Sequence, residues 1–226
     1  MLLAARNSSA ARTYDVIIFD LDGVVIDSIP DLVAALRHSL HQVGSSDRDP
    51  VFVRSCIGGG ARNILLRCLD ENKKERIDEA MQTFRAYYEE NCTNQTTLFP
   101  GVREILEFYS GKTRLALATF KIRPATLKIL TQLDVLKYFE VVITADDVQR
   151  PKPDPECINR ILNNLHSSRD AAILIGDTPT DVSTGKNAGI STCAVLYGIG
   201  TRRELDACEP DFIVESILDL KQIVVM

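Results

Sequence analysis

The chain has 226 residues, 45 % hydrophobic and 25 % charged, with a formal net charge of −5. That length holds one large domain or a core with a smaller insert, and the negative balance offers no basic stripe to nucleic acid or an anionic membrane. No apolar run approaches the roughly 20 residues of a membrane span. A cytoplasmic monomer or homodimer with no nucleic-acid or membrane partner is therefore expected.

Met1–Thr13 carry Arg and Ser but no acid, and are expected to form a disordered tail rather than a targeting segment. Tyr14–Phe19 is apolar and β-branched, which predicts a buried strand. It runs into Asp20-Leu21-Asp22-Gly23. From about Pro100 onward a βα rhythm follows. Val102, Ile105, Leu106 and Tyr109 lie at helical spacing, then come a strand over 114–119, a helix over 124–133 and a strand over 141–144. A helix over 157–165, a strand over 171–176, a helix over 181–188 and a strand over 192–196 complete the pattern. Continuous apolar strands separated by amphipathic helices predict a doubly wound, Rossmann-like parallel α/β sheet covered on both faces.

The stretch between Asp27 and Phe99 breaks that rhythm and contains no convincing strand. Leu32, Val33, Leu36, Leu40 and Val43 predict a helix over 31–43, with Ser28-Ile29-Pro30-Asp31 as its capping box. Ile77, Met81, Phe84 and Tyr88 predict another over 74–90, the stripe forming the interior of a small helical unit. The expected division is a core of residues 1–26 and 99–226 with a helical cap over 27–98. Two chain crossings beside the active edge would make the cap a hinged lid.

The two carboxylates after the first strand lie at the carboxyl edge of the sheet, where open α/β folds bind ligands. Carboxylates that close repel unless a cation lies between them, and Mg²⁺ supplies one that prefers oxygen ligands. One Asp is then available as nucleophile and its neighbour for proton transfer. Thr119, Lys152 and Asp177 follow or approach the ends of other predicted strands, and Asp181 comes four residues after Asp177. Prolines on either side of Lys152 stiffen its loop. Carboxylates, a hydroxyl and a lysine around one crevice suit phosphoryl transfer, which relies on positioning and charge neutralisation.

The ordered set Asp20-x-Asp22-Gly23-x-x-x-Asp27-Ser28, Thr119, Lys152-Pro153 and Gly176-Asp177-x-x-x-Asp181 resembles the haloacid dehalogenase-like superfamily. Within it, the chain is similar to the phosphoglycolate phosphatase-like group with a helical cap. The resemblance implies that Asp20 attacks phosphorus to form an aspartyl-phosphate. It implies that Asp22 serves as acid and base, with its backbone carbonyl on Mg²⁺. Thr119 and Lys152 would hold phosphoryl oxygens, and Asp20, Asp22, Asp177 and Asp181 would form the metal set, Asp181 directly or from the outer shell. An acid at the place of Asp22 separates phosphatases from the dehalogenases of this superfamily.

The chain has Thr119-Phe120-Lys121 where relatives often have Thr-Asn-Lys, so Phe120 offers substrate only its backbone N–H. Ile57-Gly58-Gly59-Gly60-Ala61-Arg62 resembles a glycine-rich cap loop, which is either a turn or a substrate loop. In the second case Gly59 would approach the substrate and Arg62 would take a carboxylate or second phosphate. The implied activity is Mg²⁺-dependent hydrolysis of small phosphorylated metabolites, phosphoglycolate being the family-level expectation. Competing readings are an inorganic pyrophosphatase-like hydrolase, a β-phosphoglucomutase-like phosphomutase and a catalytically idle protein that binds a phosphorylated ligand. The six cysteines are scattered and expected to be reduced. The glycosylation sequons at Asn91 and Asn94 are inert without secretion, and His38, His41 and His166 are expected to be packing or surface residues.

Overall fold

A computed structural model describes residues 12–57 and 59–225. In chain order its strands are β1 (Arg12–Thr13), β2 (Val16–Phe19), β3 (Ile26–Asp27), β4 (Thr97–Leu98), β5 (Arg114–Ala118), β6 (Val141–Ile143), β7 (Ala172–Gly176), β8 (Ser191–Val195), β9 (Phe212–Val214) and β10 (Val224–Val225). Six of them form one sheet in the order β6-β5-β2-β7-β8-β9, with every neighbouring pair parallel. All carboxyl ends therefore lie along one edge. Registers pair Phe19 with both Leu117 and Ile175, so β2, β5 and β7 finish nearly level.

Strands β2 and β7 are buried along their whole length, as expected of strands covered on both faces. Side chains alternate between the two covering layers. Ile17 and Phe19 join a cluster containing Ile105 and Leu106 of α5 (Val102–Tyr109 in the full chain) and Ile129 and Leu130 of the next helix (Arg123–Gln132). Val16 and Ile18 face Ile158, Ile161 and Leu162 of the helix Glu156–Asn164, together with Ala188. β9 and the helix Arg202–Ala207 extend the fold beyond the elements read from the sequence.

Between β3 and β4 the chain forms α1 (Ile29–Gln42), α2 (Pro50–Cys56), α3 (Ala61–Cys68) and α4 (Ile77–Asn91), with a 3₁₀ turn over Glu71–Arg76. The following helices are then α6 (Arg123–Gln132), α7 (Glu156–Asn164), α8 (Pro179–Ala188), α9 (Arg202–Ala207) and α10 (Leu220–Ile223). In the insertion, α1 lies along α4, and the Ser39 hydroxyl donates to the Ala80 carbonyl at 2.6 Å.

The two crossings pair with one another. β3 and β4 form an antiparallel ribbon, matching Ile26 with Leu98 and Asp27 with Thr97, although no strand was expected here. The predicted capping box at Ser28 is also absent: the Ser28 side chain makes no cap bond to α1. Its hydroxyl donates instead to Asp22. Asp31 is buried and accepts from Gln95 N at 3.0 Å, Thr96 N at 2.9 Å and Thr96 Oγ1 at 2.8 Å. A buried carboxylate is satisfied by whatever donors reach it, and here three donors from the returning chain take precedence over a local cap.

Residues 1–11 of the expected tail lie outside the described residues, while Arg12 and Thr13 pair with Val224 and Val225. The six cysteines are free, five of them buried. His38 stacks on Tyr87, His41 pairs with Asp47, and His166 falls just beyond α7 at a φ of 48°. Among the described residues no helix is long and apolar enough to cross a membrane.

Candidate active site

Each central strand delivers a polar residue at its carboxyl end. Asp20 continues the β2–β7 ladder by one step, its N–H donating to Ile175 at 2.9 Å, and Thr119 does the same toward Ile143 at 3.0 Å. Asp177 follows Gly176 directly. Asp181 is placed by the start of α8, where Thr178 caps the helix. The Asp181 N–H donates to Thr178 Oγ1, and Asp181 Oδ2 accepts from the Thr178 hydroxyl at 2.6 Å. The box fixes one oxygen of Asp181 and leaves the other facing the sheet edge. Two glycines make room for these carboxylates. A Cβ on Gly23, whose φ is +93°, would stand 2.0 Å from Asp177 Oδ2, and one on Gly176 would stand 2.2 Å from the Asp181 Cβ.

Carboxylate oxygens of Asp20, Asp177 and Asp181 lie within 4.8 Å of one another, and all three residues are buried. Lys152 Nζ, also buried, donates at 2.8 Å to Asp20 Oδ1, to Asp181 Oδ1 and to the Ala118 carbonyl. The Lys152–Pro153 peptide bond is cis. Burial pushes the Asp20 carboxyl up to about 7 against the pull of Lys152, with the Asp181 and Asp22 charges adding to the rise. Burial, then the charges of Asp181 and Asp20, hold Asp177 well above the ordinary carboxylate range. Burial alone would lower the Lys152 pKa, yet Asp181 and Asp20 outweigh it and raise it.

Asp22 points to a different set of partners, and its side chain stands apart from the three-carboxylate cluster. Oδ1 accepts from the Ser28 hydroxyl and lies 3.2 Å from Lys121 Nζ. Lys121 also donates to the Tyr88 hydroxyl of α4 at 2.6 Å. Burial opposes charge on Lys121, but Asp22 and Tyr88 raise its pKa. Burial pushes the Tyr88 hydroxyl up to about 12. Ser28, Lys121 and Tyr88 received no site role from the sequence. Lys121 had the same signal as Thr119, a polar residue just past a strand, and Tyr88 had only its place in a helical stripe.

A cavity of about 330 Å³ opens between the sheet edge and the insertion. Asp20, Asp22, Thr119 and Phe120 border it from the core, and Gly59 and Arg62 from the insertion. Thr119 Oγ1 accepts from Lys121 N at 3.1 Å. Arg62 borders the cavity while pairing with Asp78 at 2.6 Å on the surface. Gly58 of the glycine loop lies outside the described residues. Met81, Phe84 and Tyr88, expected as cap interior, also line this cavity, whereas Ile77 does not border it. The insertion meets the core again through Arg54, which donates to the Gly198 carbonyl at 2.8 Å.

Comparison with known proteins matches residues 17–195 to a family model described as haloacid dehalogenase-like hydrolase. The chain belongs to the haloacid dehalogenase-like hydrolases. A phosphoglycolate phosphatase from Aquifex aeolicus is 34 % identical over 206 residues, covering 91 % of this chain and 94 % of the relative. One from Salmonella typhimurium is 32 % identical, covering 89 % of each. A crystal structure described as a predicted phosphoglycolate phosphatase from Haemophilus somnus superimposes with a TM-score of 0.85 at 25 % identity, covering 93 % of this chain and 97 % of its own. A haloacid dehalogenase-like family hydrolase from Streptococcus pneumoniae gives 0.83 at 26 % identity, covering 92 % and 96 %.

The carboxylate cluster of this hydrolase has the chemistry of a cation site. Asp177 Oδ2 accepts from Ile199 N at 2.6 Å, while its buried Oδ1 has no hydrogen-bond partner among the described residues. A buried carboxylate oxygen left without a donor is costly. Three converging carboxylates suit a hard cation with oxygen ligands.

Proposed function

We propose that the chain is a Mg²⁺-dependent phosphatase of small phosphomonoesters that works through an aspartyl-phosphate on Asp20. The observation that carries this reading is the convergence of Asp20, Asp177, Asp181 and Lys152 on one point of the sheet edge. Asp20, Asp177, Asp181 and the Asp22 backbone carbonyl would hold the cation, which would supply neutralisation of phosphoryl charge. Lys152 pulls against the burial that raises the Asp20 carboxyl and so favours the ionised nucleophile. It would exchange one of its three present acceptors for a phosphoryl oxygen, while the Thr119 hydroxyl donates to another. The bond from Asp20 to phosphorus forms as the ester bond breaks. Asp22 protonates the departing alcohol oxygen and then takes a proton from the water that hydrolyses the acyl-phosphate. Ser28 and Lys121 hold the Asp22 carboxyl in place for both steps.

Residues 27–98 serve as a cap that closes over the substrate, hinged at the β3–β4 ribbon, with Gly59 and Arg62 approaching the leaving group. Tyr88 belongs to the insertion and Lys121 to the core, so lifting the cap would break their bond and couple closure to the setting of Asp22. The names of the Aquifex and Salmonella relatives make phosphoglycolate the first substrate to assay. Phosphate release from a panel of phosphomonoesters, with and without Mg²⁺, tests the reading. Turnover that requires Mg²⁺ and disappears in Asp20→Asn is expected. No turnover of any ester, or full activity in that variant, defeats it.

A further inference from the structure

We propose that the cavity above Asp20 selects phosphomonoesters whose leaving alcohol carries an extended apolar body, in preference to the short, charged glycolate. This inference rests on the phosphatase reading above and narrows its substrate class. The wall beyond the carboxylates is built from Leu32 of α1, Ile64 of α3, Met81 and Phe84 of α4, and Phe120 and Ile122 of the β5–α6 connection. The first four are buried. They come from three helices of the cap, whose packing presents one apolar surface across the cavity from the phosphoryl site.

The two guanidiniums of the insertion that reach this cavity belong to exposed residues at its border. Arg62 and Arg85 border the same cavity and a neighbouring hollow that also contains Asp78, yet both are exposed. Arg62 is already paired with Asp78. Lys121 borders the cavity but is held by Asp22 and Tyr88. A short carboxylate held against Met81 and Phe84 would lose hydration there, which is unfavourable unless an exposed guanidinium folds in to meet it. An apolar chain would instead bury its own surface against that wall and gain in proportion to the area taken out of water. A charged or polar end group on a longer chain would emerge beside the two exposed guanidiniums. At about 330 Å³ the cavity falls at the lower end of small-molecule sites, which suits a chain or single ring. The reaction is unchanged: ester and water give inorganic phosphate and the alcohol.

The test is kcat/KM for phosphate release from n-alkyl phosphates, ethyl through hexyl, alongside phosphoglycolate at saturating Mg²⁺. Alkyl leaving groups share the same chemistry, so any trend reports the wall. The expected result is a rise of about fourfold per added methylene until the cavity fills, with hexyl phosphate preferred over phosphoglycolate. Met81→Gln, close in shape but polar, should flatten the rise, and Phe84→Leu should reduce it while conserving an apolar fold. Release from phosphoglycolate with a flat or falling alkyl series would overturn the inference and leave the phosphatase reading standing. No release from any ester would overturn both.

Discussion

Four buried ionic groups meet at the ends of three strands, and their energetics depend on Lys152. Its ammonium is the only cation within hydrogen-bond reach of Asp20 and Asp181 among the described residues. Lys152→Met should destabilise the metal-free protein by about 3–5 kcal/mol, since removing one partner of a buried ion pair strands the other. Urea unfolding with and without Mg²⁺ measures this, and part of the loss should return with the cation. Gly23 carries a steric role of the same rank. Alanine there would put a methyl against the Asp177 carboxylate on a backbone that disfavours any side chain. Gly23→Ala should therefore abolish divalent-cation binding, as read by calorimetry, and unaltered binding would contradict the assigned cradle. At this scale Asp20, Asp22, Thr119, Lys152, Asp177 and Asp181 were legible because each follows or lies near a strand end in a motif. The partners of Asp22 were not legible: Ser28 read as a helix cap, and Tyr88 reaches Lys121 through a tertiary contact that periodicity does not encode.

At the scale of elements, the insertion is braced internally by two carboxylates with different exposures. Asp31 joins the start of α1 to the chain just before β4, and Asp31→Asn would replace an acceptor oxygen with a donor facing other donors. A loss of about 1–3 kcal/mol is expected, seen as a lower urea midpoint. Asp70 stands nearer the surface, held by Ser46 N, Arg48 and the Ser46 hydroxyl, which lower its carboxyl to about 2. Because its folded pKa is depressed, its contribution is present above the ordinary carboxylate value and is lost as pH falls toward 2. The stability difference between wild type and Asp70→Asn should therefore be largest near neutrality and shrink between about pH 4 and pH 2. A difference independent of pH would contradict this. The long apolar strands and amphipathic helices of the core were readable because their periods are regular. Helices α2 and α3 were not, being only seven and eight residues long, with Val51 and Phe52 of α2 facing solvent so that its apolar residues mark no single buried face. β3, β4 and β9 span only two or three residues and carry no pattern of their own.

Across the whole molecule, the parallel sheet and the insertion divide the chemistry between them. In the proposed reaction the sheet edge gathers the groups that act on phosphorus, and the insertion supplies the surface that meets the rest of the substrate. One periodic stripe on α4 serves two purposes. Ile77 is buried away from the cavity, while Met81, Phe84 and Tyr88 border it. A helical period reports which residues avoid water and not whether they face protein or a cavity, which is why the stripe read as cap interior alone.

The central claim is that carboxylates 157 positions apart, Asp20 and Asp177, share one divalent cation with Asp181. Mn²⁺ titration followed by electron paramagnetic resonance tests it most directly, since free and bound ions give separate signals and Mg²⁺ competes for the same site. The account predicts one tightly bound ion per chain in the wild type, displaced by Mg²⁺ and lost in Asp177→Asn. Unchanged Mn²⁺ binding in Asp177→Asn would contradict it.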